Sequence, residues 1–447
     1  MSDASSASFP PGPLSLTPLQ VTAQTPPFVW HVPGSKSITN RALILAALAD
    51  GTTTLKGVLH SDDTRHMRNA LSQMGIVITD VDATTLRVEG GRSKLRAPEG
   101  ELFIGNSGTT VRFLAAFCAL VPGKVTLVGD EHMAKRPISD LVDGLTQMGV
   151  QVDCPTGCPP LTIHGNGLPG GHVRMPGDKS SQYFSALLMA APCATSTLTV
   201  EATGDLVSRP YIDITLNMMR DFGADVPKDA ASRGDSSFVV PAQGAYTARE
   251  YVIEPDASSA SYAFATAAAT GLSVHVLGLS TGALQGDYGF VQLLEQAGCH
   301  LEILPGETRI HGAPSLQGLD VDMHHISDTV MTLAALAPLC RSPTRITNVY
   351  NIRIKETDRL EATVNELKRL GQTVESGRDW LTVEPAPITP CVVHSYSDHR
   401  MAMAFAILGL ARAGVQIENP ACVAKTYPTF WDDLRALYAH CGQACPY

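Results

Sequence analysis

One arrangement of apolar and polar positions recurs along the chain: a helix-like segment runs into a glycine and an alternating strand follows. It reads LSQMGIVITD at Gly75, LTQMGVQVDC at Gly149, NMMRDFGADV at Gly223, LEQAGCHLEI at Gly298, LKRLGQTVES at Gly371 and LYAHCGQ at Gly442. Successive glycines stand 74, 74, 75, 73 and 71 residues apart, so the chain consists of six copies of one unit. A second feature shares the period, a polar or Gly-containing turn that opens an Ala-rich apolar helix. It begins at 33 (PGSKSITNRALILAALA), 105 (GNSGTTVRFLAAFCAL), 176 (PGDKSSQYFSALLMAAP), 255 (PDASSASYAFATAAATG), 324 (HHISDTVMTLAALAP) and 396 (YSDHRMAMAFAILGLA).

Each unit therefore holds two helices with strands between them. The Ala-rich helix is nearly uncharged and is expected to be the inner one, while the charged helix before each repeating glycine faces water. Three units can enclose one core. Six predict an α/β fold of two similar lobes, residues 28–34 with 253–447 (lobe 1) and residues 35–252 (lobe 2). Residues 1–27, rich in Ser, Pro and Ala, are expected to be disordered. No Lys or Arg precedes Lys36, which speaks against a secretory signal or transit peptide and for a cytoplasmic protein.

The first inner helix carries charge where a helix start disfavours it. Lys36 and Arg41 stand in the first turns of an otherwise apolar run, at the positive end of the helix dipole. Two basic side chains snorkelling to the surface would explain one such helix. Arg112 and Arg400 repeat the pattern at other inner helices. Helix starts offer free N–H donors, so facing lobes would form an anion-binding cleft there; for Ser258 or Ser327 taken alone, simple N-capping is the plainer reading.

Composition narrows the ligand. The 447 residues carry a formal net charge of −10, which argues against nucleic acid or an anionic membrane as partner, so the basic groups act locally. No apolar run reaches membrane-spanning length. The ten cysteines are scattered; Cys154/Cys158 and Cys441/Cys445 leave a zinc site open, but reduced thiols fit better. Arginine suits paired recognition of carboxylate and phosphate, and the helix-start cations are joined by Lys135, Arg136, Arg353, Lys355, Arg359 and Lys425. A small polyanion is indicated. The 353–359 segment also reads as a solvated helix start. Unliganded, these cations are expected to repel one another, so that the cleft closes only around anions. Walker A, Rossmann and two-histidine zinc patterns are missing, and chemistry without cofactor or metal is expected. Asp328, Glu356 and Asp398, beside cations, are candidates for proton transfer.

The segments PGSKSITNRA, GNSGTTVRF, KRPISDLVD, SSQYFSALLMAAP, VSRPYIDITL, EPDASSASY, ISDTVMT, YNIRIKETDRL, SDHRMAMA and AKTYPTFW, in this order, resemble the enolpyruvylshikimate phosphate synthase family over residues 30 to 435. The resemblance implies two lobes of three α/β units each, arranged like an inside-out barrel. It implies a transferase of the shikimate pathway, leading to chorismate and the aromatic amino acids. The enolpyruvyl group of phosphoenolpyruvate would pass to the 5-hydroxyl of shikimate 3-phosphate by addition and elimination, with glyphosate as inhibitor. By motif position, shikimate 3-phosphate would meet Lys36, Ser37, Arg41, Ser180, Ser181, Gln182, Ser208, Tyr211, Asp328, Asn351 and Lys355. Phosphoenolpyruvate would meet Lys36, Gly108, Arg136, Gln182, Arg359, Arg400 and Lys425. Asp328 resembles the base for the 5-hydroxyl and Glu356 the group handling the methylene proton, with Lys36 the third catalytic group. A monomer acting on two small substrates, without nucleic acid or membrane, is expected. The related UDP-N-acetylglucosamine transferases would show Asn after the first Lys, where Ser37 stands, and a Cys within GDEHMAKRP, which has none. A non-catalytic phosphometabolite sensor is the alternative of another class.

Overall fold

The computed structural model describes residues 12–227 and 236–447. The chain divides into two units, residues 12–32 with 257–447 (lobe 1) and residues 33–256 (lobe 2). Residues 33–34 and 253–256 thus lie in lobe 2, a correction to the expected boundaries. Gly34 bridges Pro255, the Ser35 N–H donates to the Glu254 carbonyl, and the Asp256 N–H donates to that of Pro33. Gly34 is also pressed against a third segment, where a Cβ would lie 1.8 Å from the Gly57 carbonyl oxygen.

In lobe 2 buried and half-exposed helices alternate: α1 (Lys36–Leu48), α2 (Asp62–Gln73), α3 (Gly108–Cys118), α4 (Ser139–Gln147), α5 (Ser181–Ala190) and α6 (Pro210–Asp221). Every residue of α3 is buried, as is α1 from Ile38 onward, whereas α2 buries only one face. Helix α3 packs against both α1 and α5. Lobe 1 repeats the plan with α7 (Ala257–Thr270), α8 (Phe290–Gln296), α9 (Val330–Leu336), α10 (Arg359–Arg369), α11 (His399–Gly409) and α12 (Phe430–His440). There α7, α9 and α11 are buried and pack pairwise. Alanine permits this close approach, because its small side chain lets helix backbones come together.

Among the described residues the strands form six small mixed sheets. The second unit of lobe 1 shows the plan. Asp320–Asp322 precedes the buried α9 and pairs in parallel with Thr344–Thr347, after which α10 leads into the antiparallel hairpin of Thr373–Ser376 and Leu381–Glu384. Parallel neighbours need a long crossover, and the buried helix supplies it. In the first unit of each lobe the leading strand comes from the far side of the chain. Glu250–Val252 pairs with Ala49–Lys56, and Phe28–Trp30 with Ser273–Leu277. Each half-exposed helix ends in a left-handed glycine, with φ of 101° at Gly75, 84° at Gly149, 85° at Gly223, 110° at Gly298, 87° at Gly371 and 69° at Gly442.

The expectation of disorder over residues 1–27 is corrected for residues 12–27; residues 1–11 lie outside the described residues. Leu14–Ser15 pairs with Val415–Ile417, Leu14 and Leu16 are buried, and Thr17 exchanges hydrogen bonds of 3.1 and 2.6 Å with the Tyr438 hydroxyl. Two leucines at strand spacing outweigh the polar residues around them. The space above Gly409 is filled by Leu16, whose Cδ1 would lie 2.7 Å from a Cβ there. All ten cysteines are free thiols. No helix among the described residues is long and apolar enough to cross a membrane.

Candidate active site

In lobe 2 polar contacts tie together the starts of the three buried helices. Lys36, the first residue of α1, pairs with Asp63 at 3.4 Å, and the Asp63 carbonyl accepts from the Thr110 hydroxyl of α3 at 3.2 Å. From α3, Arg112 donates to Gln182 Oε1 of α5 at 2.6 Å, and Gln182 Nε2 donates to the Thr109 hydroxyl at 3.2 Å. Arg41 lies beneath these groups, 1% exposed. It donates to Thr215 Oγ1, the Ser37 carbonyl, Ser185 Oγ and the Tyr211 carbonyl at 2.8, 2.9, 3.2 and 3.0 Å. Its guanidinium also stacks 5.1 Å from the Phe113 ring. Burial lowers its pKa to about 10, so Arg41 remains charged at neutral pH. Arg136 donates to the Asn106 carbonyl and side chain at 3.3 and 3.2 Å. Gly108, absent from the left-handed glycines, has ordinary helical backbone; a Cβ there would lie 2.4 Å from Arg136 Nη2. Its missing side chain is what lets the guanidinium lie against the start of α3. Ser180 caps α5 and Ser181 follows it, buried. Ser208, at φ 51°, precedes α6, and its carbonyl accepts from the Tyr211 N–H.

Lobe 1 holds a denser ionic cluster centred on Arg359, the first residue of α10. Its Nε donates to Asp398 at 2.7 Å, its Nη1 to Asp328 at 3.2 Å and its Nη2 to Glu356 at 2.8 Å. Burial disfavours its charge, but Asp398, Glu356 and Asp328 outweigh that and hold the pKa above the ordinary arginine value. Arg400 of α11 donates to the second Asp328 oxygen at 2.7 Å, and Lys425 reaches Glu356 at 3.4 Å. Asn351 donates to Ser327 Oγ at 2.9 Å, which places it beside the turn that carries Asp328. Lys355 ends the turn just before Glu356. Tyr262 of α7, fully buried, has its phenol pushed up to about 12 by burial against the lowering effect of Arg400 and Arg359.

Three expectations change. The cations are not left to repel one another: Lys36, Arg359, Arg400 and Lys425 each face a carboxylate. The helix starts are in part closed by protein caps rather than left wholly open to an anion. Ser35 and Asp256 cover α1, Ser107 covers α3, Ser180 covers α5, Gln285 covers α7 and Asp398 covers α11. Side-chain cations, which can swing from carboxylate to ligand, therefore join the remaining helix-start N–H groups as the donors that can take an anion. Asp398, a candidate for proton transfer, is fully buried between Arg359 and the Arg400 N–H, which it accepts at 2.9 Å, so it orients arginines. Also, α9 starts at Val330, and Asp328 belongs to the kinked turn His324–Thr329 before it. Sequence reading missed Asp63, Asp256, Thr109 and Asn106. Their only signal was polarity close to a helix start.

The lobes each hold one close cysteine pair, Cys154/Cys158 and Cys441/Cys445. Among the described residues no three His, Cys, Asp or Glu side chains are grouped to hold a metal ion.

The family model for EPSP synthase (3-phosphoshikimate 1-carboxyvinyltransferase) matches residues 29–434. A 3-phosphoshikimate 1-carboxyvinyltransferase of Trichormus variabilis is 45% identical over 406 residues, covering 90% of this chain and 94% of its own. One of Vibrio vulnificus is 44% identical over 414 residues, covering 91% and 95%. A solved EPSP synthase from Acinetobacter baumannii superposes with a TM-score of 0.78 at 26% identity, covering 95% of this chain and 98% of its own. With a family model matching most of its length and relatives about 45% identical over nine-tenths of it, the chain belongs to the EPSP synthase family.

Proposed function

We propose that this protein transfers the enolpyruvyl group of phosphoenolpyruvate to the 5-hydroxyl of shikimate 3-phosphate, releasing phosphate, as a transferase of the shikimate pathway. The observation that carries the reading is the Asp328–Arg359–Arg400 cluster with Glu356 and Lys425, in which two carboxylates suited to proton transfer share cations suited to a carboxylate and a phosphate.

Addition forms a bond from the 5-oxygen to the central carbon of phosphoenolpyruvate. Asp328 takes the hydroxyl proton while the methylene carbon receives a proton delivered through Glu356. Elimination then breaks the bond to phosphate, the methyl group returns its proton to Glu356, and the proton held by Asp328 leaves with the phosphate, which restores both carboxylates. Lys36, Gly108, Arg136, Gln182, Arg359, Arg400 and Lys425 are assigned to phosphoenolpyruvate. Arginines that now hold Asp328 turn to that anion, which frees the carboxylate lone pairs for the hydroxyl. Ser37, Arg41, Ser180, Ser181, Gln182, Ser208, Tyr211, Asn351 and Lys355, with Lys36 and Asp328, are assigned to shikimate 3-phosphate. Within that set Arg41, already donating to four protein groups, supports Ser37 and Tyr211 as well as supplying charge. The net charge of −10 supports a protein without a nucleic-acid partner, and the chain is assigned as a cytoplasmic monomer.

The test is incubation with both substrates while inorganic phosphate is measured. Phosphate release that requires shikimate 3-phosphate supports the reading. Release with UDP-N-acetylglucosamine instead, or binding without turnover, overturns it.

A further inference from the structure

Asp398 binds Arg359 through both oxygens, at 2.7 and 3.3 Å, and caps the Arg400 N–H. Both arginines therefore depend on where one buried carboxylate is set. The two residues before it, Tyr396 and Ser397, each have φ 54°, the left-handed region that residues with a side chain seldom occupy. Both are exposed, so core packing does not impose this conformation. A strained pair persists only where its surroundings over-determine it.

Those surroundings centre on Glu366 of α10, a fully buried acid far along the helix from Arg359. Its Oε1 accepts from the Tyr396 hydroxyl at 2.9 Å, and its Oε2 accepts from the His394 N–H at 3.0 Å and from Arg369 Nη1 at 2.5 Å. The turn is then closed by the Asp398 N–H donating to the Ser395 carbonyl at 2.8 Å. Burial, and next the Glu366 hydrogen bond, push the Tyr396 phenol up to about 12, so it stays a donor through the neutral range. Glu366 and Arg359 belong to the same helix. The helix that carries one arginine thus also clamps the strand end that delivers that arginine's partner.

We propose that Glu366 and the left-handed pair Tyr396–Ser397 form a positioning device that sets Asp398, and through it Arg359 and Arg400, for the anionic substrate those arginines take. The proposal rests on the assignment of both arginines to phosphoenolpyruvate. Glu366, Tyr396 and Ser397 are positioning residues and touch no reacting atom.

Ser397 offers the cleanest test, because its exposed side chain can change without disturbing packing. Ser397→Val places a β-branched residue where φ 54° is hardest to adopt, and Ser397→Gly allows that φ freely. Tyr396→Phe removes one hydroxyl from the clamp. In steady-state assays of phosphate release, Ser397→Val and Tyr396→Phe should raise the KM for phosphoenolpyruvate roughly tenfold with a lower kcat, while the KM for shikimate 3-phosphate stays within about twofold. Ser397→Gly should behave as the native chain. Hydrogen exchange on the unliganded proteins gives a second readout that needs no turnover: the Arg400 amide should exchange roughly tenfold faster in Ser397→Val and at the native rate in Ser397→Gly. Equal rises in both KM values, identical behaviour of the Val and Gly variants, or an unchanged Arg400 amide in Ser397→Val would each overturn the device. Lack of turnover by the native protein would instead count against the assigned reaction, with the exchange measurement still deciding the positioning role.

Discussion

Asp328 accepts from two arginines and Glu356 from Arg359 and Lys425, so neither acid is free until a ligand takes over those cations. Replacing Asp328 by Asn keeps the shape but removes the base and sets an amide N–H against a guanidinium. Turnover of Asp328→Asn should fall by roughly 10²–10⁴-fold, the span expected for a lost general base, and a folded variant with near-native kcat would remove Asp328 from that role. Gly108 makes a different demand. Its backbone is helical, so Ala costs nothing in φ, but the added methyl must push aside the Arg136 guanidinium, the far end of a flexible side chain. Gly108→Ala should therefore melt within a few degrees of the native protein and show a raised KM for phosphoenolpyruvate, with shikimate 3-phosphate little affected and glyphosate a weaker inhibitor. Equal rises in both KM values, or a large loss of stability, would point to a conformational glycine instead. The cations of the site were legible in the sequence because Lys and Arg at the start of apolar helices break the usual charge preference. Asp328, Glu356 and Asp398 were legible as acids beside cations, but which cation each one holds was not, and Asp63 acquires its role toward Lys36 only through tertiary contact.

At the scale of elements, the alternation of buried and half-exposed helices follows directly from composition, because Ala-rich runs without charge can be covered on all sides and amphipathic runs cannot. The left-handed glycine after each half-exposed helix was legible as a period, but the surroundings that set its importance were not. Gly75 has φ 101° and a Cβ there would meet the Lys94 carbonyl oxygen at 2.3 Å, whereas Gly149 has φ 84° and open space around it. Gly149→Ala should then cost about 1 kcal/mol for the left-handed backbone alone. Gly75→Ala adds a collision with backbone, which cannot swing away, and should cost about 2–4 kcal/mol. Urea unfolding of both variants measures the difference; equal losses would mean that the repeat glycines act only through φ. Kinks such as the one at Ile326, which sets Asp328 ahead of α9, left no mark in the hydrophobic pattern.

For the molecule as a whole, the sixfold repeat, the two lobes and the discontinuous make-up of lobe 1 were legible, while the part that residues 12–27 play in closing lobe 1 was not. Lobe 2 is one continuous stretch, residues 33–256, but lobe 1 joins residues 12–32 to 257–447. The short N-terminal segment is part of the core: Trp30 is 1% exposed and donates to the Tyr427 hydroxyl at 2.8 Å, and Phe28–Trp30 completes the sheet edge at Val274–Val276. Leu14 and Leu16 cover α11 and the strand Val415–Ile417 from the other side of that segment. Removing residues 12–32 thus uncovers a tryptophan-sized gap and two strand edges, each a site for misassembly. The fragment 33–256 should unfold cooperatively in urea, and the fragment 257–447 should give a broad, weakly cooperative transition or aggregate. Restoring the segment should rescue it. The Asp256 N–H lies 2.8 Å from the Pro33 carbonyl, so the ends at Val32 and Ala257 are near enough for residues 12–32 to be joined to 257–447 by a short Gly/Ser linker. That joined chain should recover a single sharp transition. If 257–447 alone melts as sharply and at the same urea concentration as the joined chain, residues 12–32 contribute nothing to closing the lobe, and the buried contacts of Trp30, Leu14 and Leu16 would have to be replaceable by the remaining chain.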